Sequence, residues 1–134
     1  MTDRVRAQAL AGGVLRIVAG AMFACHGAQK ILGVWTQPGH QPAVGSQLWI
    51  GGIIELVGGT LIALGLFTRP AALLASGTMA VAYFQFNWKL ALDHVKFLPV
   101  VNGGELAVLY CFVFLVFALS GAGALSLDGR RGRA

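Results

Sequence analysis

Residues 9–32 read ALAGGVLRIVAGAMFACHGAQKIL, and this stretch decides what kind of protein the chain is. About 20 apolar residues in a helix cross the hydrocarbon core of a bilayer, so the stretch is long enough to span one. Its ionisable side chains are Arg16, His26 and Lys30. At ~100° per residue, His26 and Lys30 lie ~40° apart, as do Arg16 and Lys30, so the three form one stripe. Such a stripe predicts a membrane helix that faces polar partners inside a bundle.

The composition of the whole chain agrees with a membrane protein. Of its 134 residues, 57% are hydrophobic and 11% are charged, and the mean hydropathy is +0.74. Soluble domains carry about 25% charged residues. The formal charge is +5, but no segment combines a basic face with polar surroundings, which excludes nucleic acid as a partner. The length suits a single domain.

Apolar segments of spanning length recur along the chain, and they predict an all-α fold: a four-helix transmembrane bundle, with residues 1–134 as one membrane domain. The predicted spans are 9–32, 47–67, 70–88 and 104–121. A loop rich in Pro and Gly follows the first span, and residues 88–102 form a mixed loop with a short surface helix. A cleaved signal peptide is the alternative for the first span. Arg16 and the three later spans argue against it.

The distribution of Lys and Arg predicts the orientation. Arginines cluster at the two termini and at the 68–70 turn: Arg4, Arg6, Arg69, Arg130, Arg131 and Arg133. Loop 33–46 has no charge, and loop 88–102 has Lys89 and Lys96 against Asp93. Short cytoplasmic loops carry the excess of Lys and Arg. The prediction is a multi-pass protein of a bacterial-type inner membrane, with both termini in the cytoplasm.

Polar residues of all four spans fall at one depth, in the outer half of the bundle. At ~1.5 Å per residue, His26 lies ~9 Å and Glu55 ~10 Å below the outer face. Burial of a lone charge is costly, so we expect an ion pair of Glu55 with His26 or with Lys30. The candidates for a buried polar pocket are Arg16, His26, Lys30, Glu55, Tyr83, Asn87 and Glu105. The alternative is that these ions only pin the helices together, with Lys30 reaching the interface and Arg16 the lipid phosphates.

The sequence predicts no metal site and no intrinsic cofactor. His26, Glu55 and Glu105 lie on separate helices, and their spacing does not define a metal geometry. A bis-histidine haem needs two intramembrane histidines, but His40 and His94 fall in loops. Nucleotide-binding and iron–sulfur motifs are absent from the sequence. The two cysteines, Cys25 and Cys111, lie within apolar runs and are interpreted as buried free thiols, with a disulfide between them as the alternative.

Several motifs together resemble the DoxX family of small four-helix membrane proteins. They are Arg16 with His26-Gly27-Ala28-Gln29-Lys30, the stretch GGIIELVGGTLIALGLFTRPAA from Gly51, NGGELAVLYC from Asn102, and Ser126-Leu127-Asp128. The resemblance covers nearly the whole chain. Two departures stand out: many relatives have a histidine near the position of Asn87, and Gly121-Ala122-Gly123 replaces a Gly-Pro-Gly.

The resemblance implies a redox-associated role at the membrane. Members of the family include the membrane subunit of a thiosulfate:quinone oxidoreductase and a partner in a redox-protective complex. The chain is therefore expected to be a quinone-interacting subunit or partner of an oxidoreductase. Proton donors and acceptors for a quinone ring would come from His26, Glu55, Tyr83 and Glu105. The alternatives are a transporter or exporter of small molecules, which would require a homo-oligomer, and a non-catalytic scaffold that recruits an enzyme. Whether the chain is itself an enzyme stays open.

Overall fold

The computed structural model describes residues 2–91 and 95–132; Asp93, His94 and Arg133 lie outside these ranges. The described residues form helices and contain no strand, so the predicted all-α class is confirmed. The helices are α1 (Asp3–Leu32), α2 (Gln47–Leu64), α3 (Thr68–Ala82), α4 (Pro99–Asn102), α5 (Glu105–Ser120) and α6 (Leu127–Arg131). A π-helical turn, Ile54–Gly58, interrupts α2, and a second, Tyr83–Trp88, extends α3.

Most helix bounds lie close to the predicted segments, and two of the differences have clear causes. Helix α1 begins at Asp3, six residues before the predicted span. Hydropathy predicts only the apolar part of a helix, whereas the helical hydrogen bonds continue into the polar residues before it. Helix α2 ends at Leu64 instead of residue 67. Gly65 follows it with φ of 68°, a left-handed conformation that terminates helices.

Four helices run alternately between two ends of the bundle. The turn end carries the start of α1, the tight turn 65–67 and α6. The loop end carries loop 33–46 and α4. Two helices, Asp3–Leu32 and Gln47–Leu64, are long and apolar enough to cross a membrane, and Glu105–Ser120 is a shorter apolar helix. The four-span arrangement and the cytoplasmic termini stay predictions.

Helices α1 and α2 pack with their backbones almost in contact. A Cβ atom at Gly27 would lie 2.2 Å from the backbone nitrogen of Leu56, and one at Gly20 would lie 2.5 Å from that of Ala63. Small residues allow this close approach, which is how helices associate where water supplies no driving force. The α1–α2 pair is therefore specified by its glycines.

Helices α3 and α5 form the second pair, and one aromatic cluster joins the two pairs. The Ser76 hydroxyl of α3 donates to the carbonyl of Cys111 at 2.8 Å. Phe23 of α1 lies edge-on to Phe114 of α5, with ring centroids 4.7 Å apart, and tilted to Tyr110 at 5.4 Å. The buried core consists of Ala19, Phe23, Ile62, Ala71, Ala72, Ala75, Met79, Tyr110, Phe114 and Phe117.

Candidate functional site

Both π-helical turns lie in the half of the bundle near the loop end. The first contains Glu55, and the second contains Tyr83 and Asn87. A π turn adds one residue to the helical repeat, and such turns inside α-helices often occur at functional sites. Here the first turn lies where Glu55 is directed inward, and its side chain is 4% exposed.

Glu55 forms an ion pair with Lys30. The Lys30 Nζ donates to Glu55 Oε1 at 2.6 Å. Of the two pairings expected from the sequence, this is the one the structure contains. The side chain of Lys30 is 34% exposed, so the ammonium lies at the edge of the bundle while the carboxylate lies within it. The other carboxylate oxygen, Oε2, is buried without a hydrogen-bond partner.

A polar cavity of about 230 Å³ opens beside this carboxylate. Its wall is made by Phe23, His26, Lys30, Glu55, Met79, Asn87, Gly103, Leu106, Ala107 and Tyr110. The Tyr110 hydroxyl is buried and, like Glu55 Oε2, has no hydrogen-bond partner. The His26 ring is perpendicular to that of Tyr110, with centroids 6.3 Å apart. The cavity is therefore lined by the polar side chains of His26, Lys30 and Asn87, while Glu55 Oε2 and the Tyr110 hydroxyl have almost no accessible surface.

A larger groove of about 810 Å³ runs along α2 and α3 and is almost entirely apolar. It is lined by Lys30, Gln47, Leu48, Ile50, Gly51, Ile54, Glu55, Pro70, Leu73, Leu74, Gly77, Thr78, Met79, Val81, Ala82 and Phe86. Several of these side chains face outward; Leu73 is 61% exposed and Ile50 is 50% exposed. The groove and the polar cavity share Lys30, Glu55 and Met79. The apolar groove on the surface therefore ends at the ion pair between Lys30 and Glu55.

The remaining sequence candidates divide between this site and other places. Asn87 lines the polar cavity. The Tyr83 hydroxyl instead donates to the carbonyl of Phe97 and accepts from the Asn102 side-chain amide at 3.2 Å, at the loop end. Glu105 is exposed and lines neither cavity. Arg16 lies at the turn end, away from the ion pair.

Arg16 is completely buried and uses every one of its donors. A guanidinium has five N–H groups. In this structure they donate to the backbone carbonyls of Ile62, Ala63, Ala122, Ala124 and Leu125 at 2.6–3.2 Å. The negative ends of these peptide dipoles, two of them in the last turn of α2, stabilise the cation. Arg16 therefore ties α1 to α2 and to the segment after α5.

Asp128 closes the same end of the bundle. Its carboxylate accepts from the backbone N–H groups of Phe67 and Thr68 and from the Thr68 hydroxyl, at 3.0–3.2 Å. Partial burial alone would raise the pKa of Asp128, but these donors and the nearby Arg131 outweigh it and hold the pKa below its usual value. The carboxylate also lies at the N-terminus of α3, where the helix dipole favours a negative charge.

Comparison with known proteins places the chain in a family. A model of the DoxX family matches residues 13–88, which contain most of α1, all of α2 and α3, and the ion pair. An uncharacterized protein of Haemophilus influenzae is 48% identical over 118 residues, covering 87% of each chain. This chain belongs to the DoxX family. Membership and the apolar helices together identify it as a membrane protein. No solved structure matches this DoxX chain.

Tyr110 is the cavity residue that sequence reasoning missed. It lies in the apolar run ELAVLYCFVFLVFALS of α5, where a single tyrosine resembles any other core aromatic. The motif NGGELAVLYC contains Tyr110 and could have identified it, because this motif is part of the resemblance to the DoxX family.

The described residues of this DoxX chain contain no disulfide and no cluster of metal-binding side chains. Cys25 is exposed and Cys111 half-buried, and both are free thiols, so Cys25 does not lie in the core as the sequence had suggested. Among the described residues, no group of three His, Cys, Asp or Glu side chains is placed to hold a metal ion.

Proposed function

We propose that this DoxX protein is a quinone-interacting membrane subunit of a redox system. The observation that supports the proposal most directly is the junction of the two cavities at Glu55. The groove is almost entirely apolar and the cavity beyond it has a larger share of polar lining, and both are walled by Lys30, Glu55 and Met79. A ligand with a polar head and a long apolar tail has the shape and chemistry that this junction fits.

Quinones of membranes have this form. The ring oxygens need hydrogen-bonding groups within about 3 Å for proton-coupled chemistry. His26 and Asn87 line the polar cavity and can provide them. The isoprenoid tail would lie along α2 and α3 beside Ile50 and Leu73, whose side chains are already exposed on the outer surface. The groove volume of about 810 Å³ is within the range of ~300–1,000 Å³ common for ligand sites.

A quinone site of this kind also needs an electron donor and a defined orientation in the membrane. Electrons would reach the quinone from a partner oxidoreductase, for which this chain provides the membrane site. The protein would cross an inner membrane four times, with both termini in the cytoplasm. The clustering of arginines at the turn end supports that orientation.

The test is to purify the protein in a mild detergent, extract it with organic solvent and quantify quinone per chain. We expect near-stoichiometric quinone in the wild type and loss of quinone in Glu55→Gln and His26→Ala. Glu105→Gln is the matched control, because Glu105 is an exposed carboxylate outside both cavities.

The outcomes separate a ligand site from a structural ion pair. If Glu55 only pins α1 to α2, Glu55→Gln will lower stability but will retain as much quinone as Glu105→Gln. Absence of quinone from the wild type, even after a soluble analogue is added, would contradict the proposal.

A further inference from the structure

The turn end of the bundle carries exposed arginines that the quinone site does not use. They come from the first turns of α1, from the start of α3 and from α6, and all of them are exposed: Arg4, Arg6, Arg69, Arg130 and Arg131. Among the described residues, none of the five has a carboxylate within ion-pair distance. We call this cluster the arginine face; its positive charge is open to a partner from outside the chain.

Contacts of Asp128 hold two parts of the arginine face side by side. The Asp128 carboxylate accepts from the backbone N–H and the hydroxyl of Thr68, the residue before Arg69, at 3.0 and 3.2 Å. Arg130 and Arg131 follow Asp128 in the same short helix. The start of α3 and helix α6 are therefore joined, and arginines that are far apart in the sequence share one surface.

Close packing adds the ends of α1 and α5 to the same surface. A Cβ atom at Gly121, just after α5, would lie 3.2 Å from Arg69 Nε, so the Arg69 side chain lies across the end of α5. A Cβ atom at Gly13 of α1 would lie 2.7 Å from the carbonyl oxygen of Ala124, in the segment that leads to α6. Along α1, Arg6 lies ~10 Å beyond Gly13 at ~1.5 Å per residue. The arginines of α1 thus project beyond the surface that α3 and α6 form.

Acidic side chains neutralise little of this charge. Asp3 and Asp128 are the carboxylates of the described turn end, against five arginines. Asp128 is already engaged by the backbone and hydroxyl donors of the turn before α3. A guanidinium binds phosphate with paired hydrogen bonds, so phosphate is the anion that suits an arginine-rich surface best.

We propose that the arginine face binds the anionic headgroups of membrane phospholipids in preference to zwitterionic ones. Apolar side chains next to the arginines favour a lipid over a soluble anion: Phe67 is 60% exposed and Leu125 is 58% exposed. Basic and apolar groups meet in this way where lipid phosphates border the hydrocarbon. Each arginine near an anionic membrane surface strengthens the association by roughly fivefold. The proposal goes beyond the quinone site and does not depend on it.

The experiment measures thermal unfolding of the full-length protein in a neutral detergent. Phosphatidylglycerol or phosphatidylcholine with the same acyl chains is added to the micelles, and a lipid that binds the folded state raises the melting temperature. We expect phosphatidylglycerol to give the same rise at a concentration at least roughly fivefold lower. High salt should remove the difference, because the screening length falls to about 3 Å at 1 M. Inorganic phosphate at equal ionic strength should give no such rise.

Variants locate the effect on the arginine face. The double variant Arg130→Gln/Arg131→Gln removes two of its charges and should lose most of the preference for phosphatidylglycerol. Arg130→Lys/Arg131→Lys keeps the charges and should retain most of it. Lys89→Gln is the control at the loop end, because it also removes an exposed cation but lies just beyond the π turn that extends α3.

Three results would overturn the proposal. The first is an equal rise with the two lipids. The second is a rise with inorganic phosphate as large as that with phosphatidylglycerol, which would make the face a site for soluble anions. The third is a double glutamine variant that keeps as much preference as Lys89→Gln. If that variant does not fold, Arg4→Gln/Arg6→Gln, in the exposed first turns of α1, takes its place in the comparison.

Discussion

Arg16 and Glu55 are both buried and charged, but the protein satisfies them in opposite ways. Arg16 has a hydrogen-bond partner for each of its five donors, all of them backbone carbonyls. Glu55 has one partner, Lys30, and one oxygen left over. A fully satisfied buried ion contributes to structure, whereas a buried polar atom without a partner is costly. The number of satisfied hydrogen bonds therefore distinguishes Arg16 from the Lys30–Glu55 pair more clearly than their depth in the bundle does.

Arg16→Lys should destabilise the protein strongly even though the charge is kept. A lysine has three donors, so at least two of the five carbonyls would lose their partner. We expect a loss of roughly 2–4 kcal/mol in the free energy of unfolding. Thermal unfolding in detergent would show it, with Arg6→Lys as the control because Arg6 is exposed on the same helix. A melting temperature equal to that of the control would mean that the carbonyl contacts contribute little.

Asp128 should make stability depend on pH. Its pKa is lower in the folded protein than the ~3.9 of an unfolded chain. The stabilisation is therefore complete well above pH 4 and is lost as the pH falls through the unfolded and then the folded pKa. The melting temperatures of wild type and Asp128→Asn should differ at pH 6 and converge toward pH 3. A constant difference across this range would contradict the assignment.

At the scale of residues, the sequence reached part of the site. Helical phase and depth brought Lys30 and Glu55 together, because their positions follow from a regular repeat. The acceptors of Arg16 were out of reach, since backbone carbonyls carry no signature in the side-chain pattern. Periodicity did not identify Tyr110 either, because one tyrosine in an apolar helix has no periodic signal; only the motif NGGELAVLYC contains it.

Two π turns and a glycine contact set the geometry of the elements. The turn Ile54–Gly58 rotates the second half of α2 relative to the first, and it holds Glu55. A repeat of 3.6 residues does not predict such a turn, so the sequence predicted one uninterrupted helix over residues 47–67. The close contacts of Gly20 and Gly27 depend on how α1 and α2 meet, so the sequence alone does not predict them.

Gly27→Ala should separate α1 from α2. The added Cβ would lie 2.2 Å from the Leu56 nitrogen and 2.6 Å from the Gly52 oxygen, and both are backbone atoms that cannot rotate away. We expect a loss of about 1–3 kcal/mol in the free energy of unfolding, measured by heat denaturation. Gly12→Ala is the control in the same helix, because nothing lies within 4 Å of its Cβ. It should be neutral or gain up to about 1 kcal/mol. Equal effects of both variants would disprove the close packing.

For the molecule as a whole, the notable property is the separation of an apolar groove from a polar cavity by one ion pair. Composition predicted a membrane bundle, and the family assignment agrees with a membrane protein. The groove could not be predicted, because it depends on where side-chain volume is missing between α2 and α3. Gly51 and Gly77 are two of the positions at which that volume is absent.

Gly77→Leu should obstruct the groove and leave the polar cavity intact. Gly77 lines the groove, and a Cβ there meets no atom within 4 Å, so the larger side chain can be accommodated. We expect the affinity for a quinone with a long tail to fall by roughly tenfold while that for a tailless analogue is unchanged, since each excluded methylene costs about 1 kcal/mol. Competition binding with Gly12→Leu as control measures both. An equal loss of affinity for both ligands would mean that the tail does not lie in the groove.

The five contacts of Arg16 also have a consequence for biosynthesis. Three of its acceptors, in Ala122, Ala124 and Leu125, follow it by 106, 108 and 109 residues. At ribosomal speed these residues are made on the order of ten seconds after Arg16. Throughout that interval the Arg16 guanidinium lacks three of its five carbonyl acceptors. The turn end of the bundle can therefore close only after translation has passed residue 125. The guanidinium thereby couples the first helix made to one of the latest segments.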